Sequence, residues 1–145
     1  MSWIRVWVHI VFTTKNKVPY LHKAEIRQAV FKHIKEEAAR KNIILDCVNG
    51  YRDHAHCLLS LSGDQQLSKT VQSIKGESSY WINSNGLISK KFAWQDDYWA
   101  VSVSESHLES VRRYIHRQEE HHKKTSFHEE INRFMEKYGW KYVRG

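Results

Sequence analysis

The sequence predicts an α+β protein built on a ferredoxin-like split βαβ antiparallel sheet with additional helices at its C-terminal end. Three observations carry this prediction. Four stretches read as strands, two alternating with a period of two and two short apolar runs between them. Two amphipathic helical stretches separate them in the order strand, helix, strand, strand, helix, strand, and further helical stretches follow the last strand. At 145 residues, with 41% hydrophobic residues and a single proline, the chain has the size and make-up of one folded domain rather than a disordered segment.

The first strand is expected from Trp3 to Thr13. Ile4, Val6, Val8, Ile10 and Phe12 form one alternating set, and Trp3, Arg5, Trp7, His9 and Val11 form the other, so His9 points away from the aliphatic face. "HKAEIRQAVFKHIKEEAARKN" follows, with Ile26, Val30, Ile34 and Ala38 at helical spacing and a stop near Asn42. "IILDCVNGY" and "HAHCLLSLS" are two short runs joined at Arg52-Asp53, as in a hairpin. A second helix is expected from about Gln66 to Asn83, with Leu67, Val71, Ile74, Ser78 and Trp81 inward and Asn83, Asn85 and Gly86 as its stop. "YWAVSVS" alternates as a fourth strand. Ser106-His107-Leu108-Glu109 has the capping-box pattern before a third helix, "HLESVRRYIHRQEEHHKK". Ser126-Phe127-His128-Glu129 repeats that pattern before a final helix over about 127–138. Two helices cover one face of such a sheet; the other must be solvated, paired or covered by the extra helix.

A net charge of +7 would draw in an anionic partner, of which nucleic acid is the commonest. The apolar start carries Arg5 and no small-residue cleavage site, so it reads poorly as a signal peptide, and no stretch approaches the roughly twenty apolar residues of a membrane helix. Cys47 and Cys57 supply neither a disulfide framework nor a four-thiolate zinc site. The expectation is a cytoplasmic protein with no membrane association.

The chemistry-bearing feature is "YRDHAHCLLSLS". On a strand His54 and His56 share a face, while Ala55, Cys57, Leu59 and Leu61 take the core face. Two imidazoles at that spacing can ligate one cation, with Asp53 as a further oxygen or as a hydrogen-bond partner behind it; solvated surface histidines are the plain alternative. In the third helix Leu108, Val111 and Ile115 mark a buried stripe, with Tyr114 and Gln118 along its flank. Tyr114 is either a core residue or, among Arg112, Arg113 and Arg117, a phenol placed near phosphate. A tyrosine nucleophile beside a bound cation suits an enzyme that cleaves a strand and conserves the bond for rejoining. His121-His122 beside Glu119-Glu120 reads as a charged helix end. For His9, contact with substrate and a hydrogen bond at the surface both stay open. Trp3, Trp7, Trp94, Tyr98 and Trp99 are candidates for base stacking, and Lys15, Lys17, Lys75, Lys90 and Lys91 for backbone contacts.

At this point "HAHCLLSL" resembles the His-hydrophobic-His motif, and "YIHRQ" the Tyr-x-x-x-Gln motif, of the single-tyrosine HUH transposases of the insertion-sequence 200/605 group. "VHIVFTTKNKVPYL", "LSKTVQSIKGESSYWIN", "FAWQDDYWAVSVSES" and "QEEHHKKTSFHEE" are similar to that family too, so the resemblance runs from Val8 to about Tyr138. It implies a single HUH transposase domain over residues 1–145, with the catalytic tyrosine carried by the added helices, on the one over about 106–122. It further implies that His54 and His56 bind Mg or Mn, that Gln118 completes the site, and that Tyr114 is the nucleophile. The implied activity is metal-dependent nicking and rejoining of single-stranded DNA with hairpin ends, through a 5'-phosphotyrosine, by a homodimer. His9, Lys15, Lys17, Lys75, Arg112, Arg113 and Arg117 are the candidate DNA contacts. Ala55, where the family has a bulkier residue, and Val101, where an aromatic is frequent, depart from the pattern. The rival readings are a non-catalytic single-strand-binding module on an open sheet face and a hydrolytic metallo-phosphodiesterase, which leaves Tyr114 without a role.

Overall fold

The computed structural model describes residues 2–122 and 125–138. Alternating apolar residues place β1 (Val6–Thr13), β2 (Ile44–Gly50), β3 (His54–Leu61) and β4 (Trp99–Val103) in one antiparallel sheet of order β2-β3-β1-β4. This is the order of the split βαβ arrangement: each crossover skips a strand, and β1 and β3 pair at the centre. The hairpin from β2 to β3 closes at Gly50, where an added Cβ would stand 2.1 Å from the backbone oxygen of His54. Only glycine fits so close an approach.

Helices α1 (Ala24–Arg40) and α2 (Leu67–Ser84) lie on one face. Val30, Phe31, Ile34 and Ala38 of α1 and Val71, Ile74 and Ile82 of α2 meet Val8, Ile10 and Phe12 of β1 and Ala55, Cys57 and Leu59 of β3. Ala55, one of the two departures from the family pattern, is fully buried in this core. Ile82 rather than Trp81 takes the inner position at the end of α2. Trp81 is half-buried and stacks on His33 of α1 with ring centroids 4.0 Å apart, and His33 Nε2 also reaches Glu77, 2.8 Å away. Both helices stop as expected, with left-handed Asn42 (φ 60°) after α1 and Gly86 (φ 58°) after α2.

The opposite face is roofed. α3 (Leu108–His116) packs Leu108 and Ile115 against Trp7, Cys47 and Leu58, and α5 (Phe127–Tyr138) packs Phe127 and Ile131 against Val11. The short α4 (Gln118–His122) lies between them in sequence. β3 is therefore buried on both sides, with every residue from His54 to Ser60 in the interior.

Three expectations are corrected. β1 begins at Val6, not Trp3: Val6 pairs with Leu61, the last residue of β3, so the residues before it have no partner strand, and Trp3 is 88% exposed. The third helix is two helices. Asn49 Nδ2 donates to the carbonyl oxygens of Ile115 (3.0 Å) and His116 (3.2 Å), which lets the α-helix end and the chain turn before Gln118. The expected capping box at Ser106 is replaced by a 3-10 turn over Glu105–His107, and α3 starts at Leu108 without a side-chain cap. The second signal gives a helix cap, with Ser126 Oγ accepting from the Glu129 N–H at 3.2 Å. Lys123 and Lys124, the expected end of the third helix, lie outside the described residues.

Ile115 is fully enclosed between α3 and the sheet. Ile115→Ala is expected to cost about 2–5 kcal/mol of unfolding free energy in a denaturant titration. A loss below about 1 kcal/mol would mean that α3 does not dock on the sheet as described.

Candidate metal centre and active site

The two-residue period of β3 sends His54 and His56 to the roofed face, where both imidazoles are fully buried. Each is oriented through Nδ1. His54 Nδ1 lies 2.9 Å from Asp53 Oδ1, and His56 Nδ1 lies 2.9 Å from His9 Nε2. Asp53 is thus a hydrogen-bond partner behind the imidazole rather than an oxygen in front of it. His9, from the roofed-face set of β1, is buried too and stacks on His56 with centroids 5.1 Å apart. Both Nε2 atoms are left facing the helices above.

The turn after α3 brings Gln118 and His122, four residues apart on α4, to the same side. Gln118 is fully buried, and its Oε1 stands 3.1 Å from His54 Nε2 and 3.0 Å from His122 Nε2. On the outer side of α4, Glu119 is held by buried Arg27 at 2.5 Å. Tyr114, half-buried one turn before Gln118, has its ring beside those of His56 (5.5 Å), His121 (5.5 Å) and His9 (6.1 Å). Of the expected arginine surround, Arg112 is engaged elsewhere. Arg112 clasps Asp46 of β2 through Nε (2.8 Å) and Nη2 (3.1 Å) and reaches Glu109 through Nη1 (2.6 Å), while Arg113 and Arg117 are exposed.

α5 contributes Glu130, a carboxylate 2% exposed and inside the protein. Its oxygens lie 2.9 Å from His56 Nε2, 3.0 Å from His121 Nε2 and 2.6 Å from His122 Nε2. Burial opposes its ionisation, but the His122 and His56 imidazoles at these separations outweigh burial and hold the acid well below the usual carboxylate range. Burial pushes the His9 imidazole down to about 3, with His56 adding to the effect. It pushes His56 down to about 4 against the opposing pull of Glu130. His54, His56, His122 and Glu130 offer ligand atoms within 4.8 Å of one another, a donor set that fits a divalent cation. The other such group among the described residues, His33, Glu37 and Glu77, is half-buried, with His33 already committed to Glu77 and Trp81. Burial raises the Cys47 thiol to about 12 and Cys57 higher still, which keeps both protonated.

Sequence reasoning missed His122 and Glu130. The pair His121-His122 read as a charged helix end, yet His122 is four residues after Gln118, the spacing that aligns two side chains on a helix. Glu130 falls between Phe127 and Ile131 on the apolar stripe of α5, and a carboxylate on a buried stripe is a readable signal. Among the candidate DNA contacts, Lys15 and Lys17 are exposed on a 3-10 turn directly after β1, near the Thr13–His54 pair that starts β3. Lys75 instead points inward to the carbonyl oxygens of Gln95 and Asp96, the latter at 2.9 Å. Of the aromatic candidates Trp7 and Trp94 are core, Tyr98 and Trp99 are half-buried, and Trp3 is exposed.

The sequence profile of the family described as "Transposase IS200 like" matches residues 2–118. No curated protein matches the chain. Among solved structures, one described as a candidate transposase from Deinococcus radiodurans R1 superposes with a TM-score of 0.64 at 19% identity, covering 81% of this chain and 93% of that one. A REP-associated tyrosine transposase bound to a REP hairpin superposes with a TM-score of 0.54 at 18% identity, covering 79% of this chain and 66% of that one. Both likenesses concern the fold.

The shifted imidazoles set a pH dependence. In the unfolded chain His9 and His56 take up protons near 6.5, and in the folded protein only near 3 and 4, so the unfolded state binds more protons across that window. Stability is therefore lost as pH falls below about 6.5. The melting temperature of the metal-free protein is expected to drop steadily between about pH 6.5 and about pH 4.5, and a flat profile there would contradict the burial of these rings.

Proposed function

The chain belongs to the IS200-like transposases, and on that footing we propose that it nicks and rejoins single-stranded DNA through a covalent 5'-phosphotyrosine at Tyr114. The observation that carries the reading is the convergence, within one chain, of Tyr114 on the ring of His56, with Gln118 beside His54 one helical turn further on. His54, His56 and Gln118 would hold the divalent cation, Mg or Mn. The cation would draw charge from the scissile phosphate and favour in-line attack.

The protein residues do the rest. The phenol proton of Tyr114 passes to His121, a neighbouring imidazole outside the ligand set. The phenolate oxygen forms a bond to phosphorus as the bond to the 3'-oxygen breaks, and that oxygen takes the proton back from His121 as it leaves. The phosphodiester energy stays in the tyrosyl ester, so a 3'-hydroxyl of the same or another strand can reverse the step. His9 and Asp53 hold the two imidazoles in the orientation that aims Nε2 at the site. Exposed Lys15 and Lys17, at the end of the sheet where β3 begins, suit contacts to the strand backbone; Arg113 and Arg117 are exposed and free for the same role. Lys75 and Arg112 serve the fold through Gln95, Asp96, Asp46 and Glu109. Because the imidazoles are buried beneath α3, α4 and α5, the phosphate reaches them only when part of that roof shifts. The roof also disfavours the single-strand-binding module, which needs an open sheet face. Hairpin-ended substrate, a homodimeric assembly and a cytoplasmic setting complete the reading; no helix among the described residues is long and apolar enough to cross a membrane.

Tyr114→Phe removes one oxygen and keeps the ring, so the fold is expected to survive. With end-labelled single-stranded oligonucleotides and Mn, the wild-type protein should give a detergent-resistant protein–DNA adduct. The variant should bind DNA and metal yet form none. Full cleavage by Tyr114→Phe would overturn the tyrosine mechanism in favour of hydrolysis.

A further inference from the structure

The hydrogen bonds behind the imidazoles define what stands in front of them. His54 Nδ1 faces a carboxylate oxygen of Asp53 at 2.9 Å, and His122 Nδ1 faces the Thr125 carbonyl oxygen at 2.7 Å. Both partners are acceptors, so both Nδ1 atoms carry the proton, and in the neutral rings the Nε2 lone pairs point forward. What they meet is oxygen. Gln118 Oε1 is 3.1 Å from one and 3.0 Å from the other, and Glu130 Oε2 is 2.6 Å from His122 Nε2. His56 Nε2 completes the ring of donors at 2.9 Å from Glu130 Oε1, with its own Nδ1 against His9. Nitrogens and oxygens converging in a buried space call for positive charge among them, supplied either by protons on the rings or by one dication, and four ligand atoms within 4.8 Å of one another are spaced for a dication.

We propose that the cation site of this chain is a three-histidine, one-carboxylate set, His54, His56, His122 and Glu130, closed from above by α4 and α5, and that it takes a transition-metal dication in preference to Mg. The inference rests on the reading that His54 and His56 hold a cation, and it adds two ligands that lie beyond residue 118, the end of the family match. Three imidazole nitrogens with one carboxylate suit Zn, Mn or Co. Mg instead favours an all-oxygen octahedron that keeps several waters. A cation held in this way ties α5 to β3. The roof over the sheet is then fastened by the metal as well as by Phe127 and Ile131.

The test uses the full chain without DNA. Calorimetric titration with the chlorides of Zn, Mn and Mg, and the visible spectrum of the Co-loaded protein, would be recorded for wild type, Glu130→Gln and His122→Asn. Their folding would be checked by circular dichroism and melting in chelator. Wild type is expected to bind Zn and Mn at least about 100-fold more tightly than Mg, and each variant to lose about tenfold or more in Mn affinity and to change the Co spectrum. Wild-type affinity and an unchanged spectrum in both variants would overturn the proposal and leave a site of His54, His56 and Gln118. Tighter binding of Mg than of Mn would overturn the selectivity. If Glu130→Gln does not fold, His122→Asn carries the test. Absence of any dication binding by wild type would remove the premise along with the proposal. Loss of the covalent DNA adduct with these metal affinities intact would count against the tyrosine mechanism alone.

Discussion

A strand buried on both faces has no solvent side to absorb a misplaced residue, and β3 is such a strand. Its alternation gives Ala55, Cys57 and Leu59 to the core beneath α1 and α2, and His54, His56 and Leu58 to the layer beneath α3 and α5. A one-residue slip would exchange the two sets, putting imidazoles into the aliphatic core and alkyl groups against Gln118 and Glu130. Register is therefore fixed from both sides, by the pairing of Val11 with His56 and Thr13 with His54 on one edge and of Asn49 with His56 on the other. The same pairing delivers His9 to the back of His56 and Asn49 to the end of α3.

The layer over the histidines is polar and dry, which is costly unless every group is answered. An ionised carboxylate taken out of water costs several kcal/mol before its partners are counted. His54 is held by Asp53 and Gln118, and His122 by Thr125 and Gln118, while the Glu130 oxygens, ringed by three imidazoles, make no hydrogen bond among the described residues. Such a network is a poor way to gain stability compared with apolar packing of the same volume. Its geometry is a good way to hold nitrogen and oxygen donors at fixed separations, and the ring of Tyr114, the proposed nucleophile, lies beside it. Expense of this kind, in a chain that has ample aliphatic residues for a second core layer, is what a site imposes on a fold.

What the sequence made legible was local. The period of two across Val6 to Thr13 and His54 to Leu61, the left-handed stop at Asn42 and the histidine pair on one face all rest on neighbours along the chain. What escaped depended on distant partners. Alternation continues through Trp3, but the strand cannot, because β3 ends opposite Val6. Helical pattern continues through Arg117, but Asn49 takes the last carbonyls of α3 from a strand 66 residues away. Arg112 looked free to meet phosphate until Asp46 stood across from it. His122 looked like part of a charged helix end and Glu130 drew no reading, and only the docking of α4 and α5 over β3 turns them toward His56.

The most direct test of a tyrosine-centred strand-transfer site is to locate the covalent bond. The wild-type protein would be incubated with a single-stranded hairpin oligonucleotide and Mn, the adduct digested with nuclease and trypsin, and the peptides sequenced by mass spectrometry. The expected product is the peptide Tyr114-Ile115-His116-Arg117 carrying a 5'-linked nucleotide on the phenol oxygen. A nucleotide on another residue, or cleaved DNA with a free 5'-phosphate and unmodified Tyr114, would contradict it.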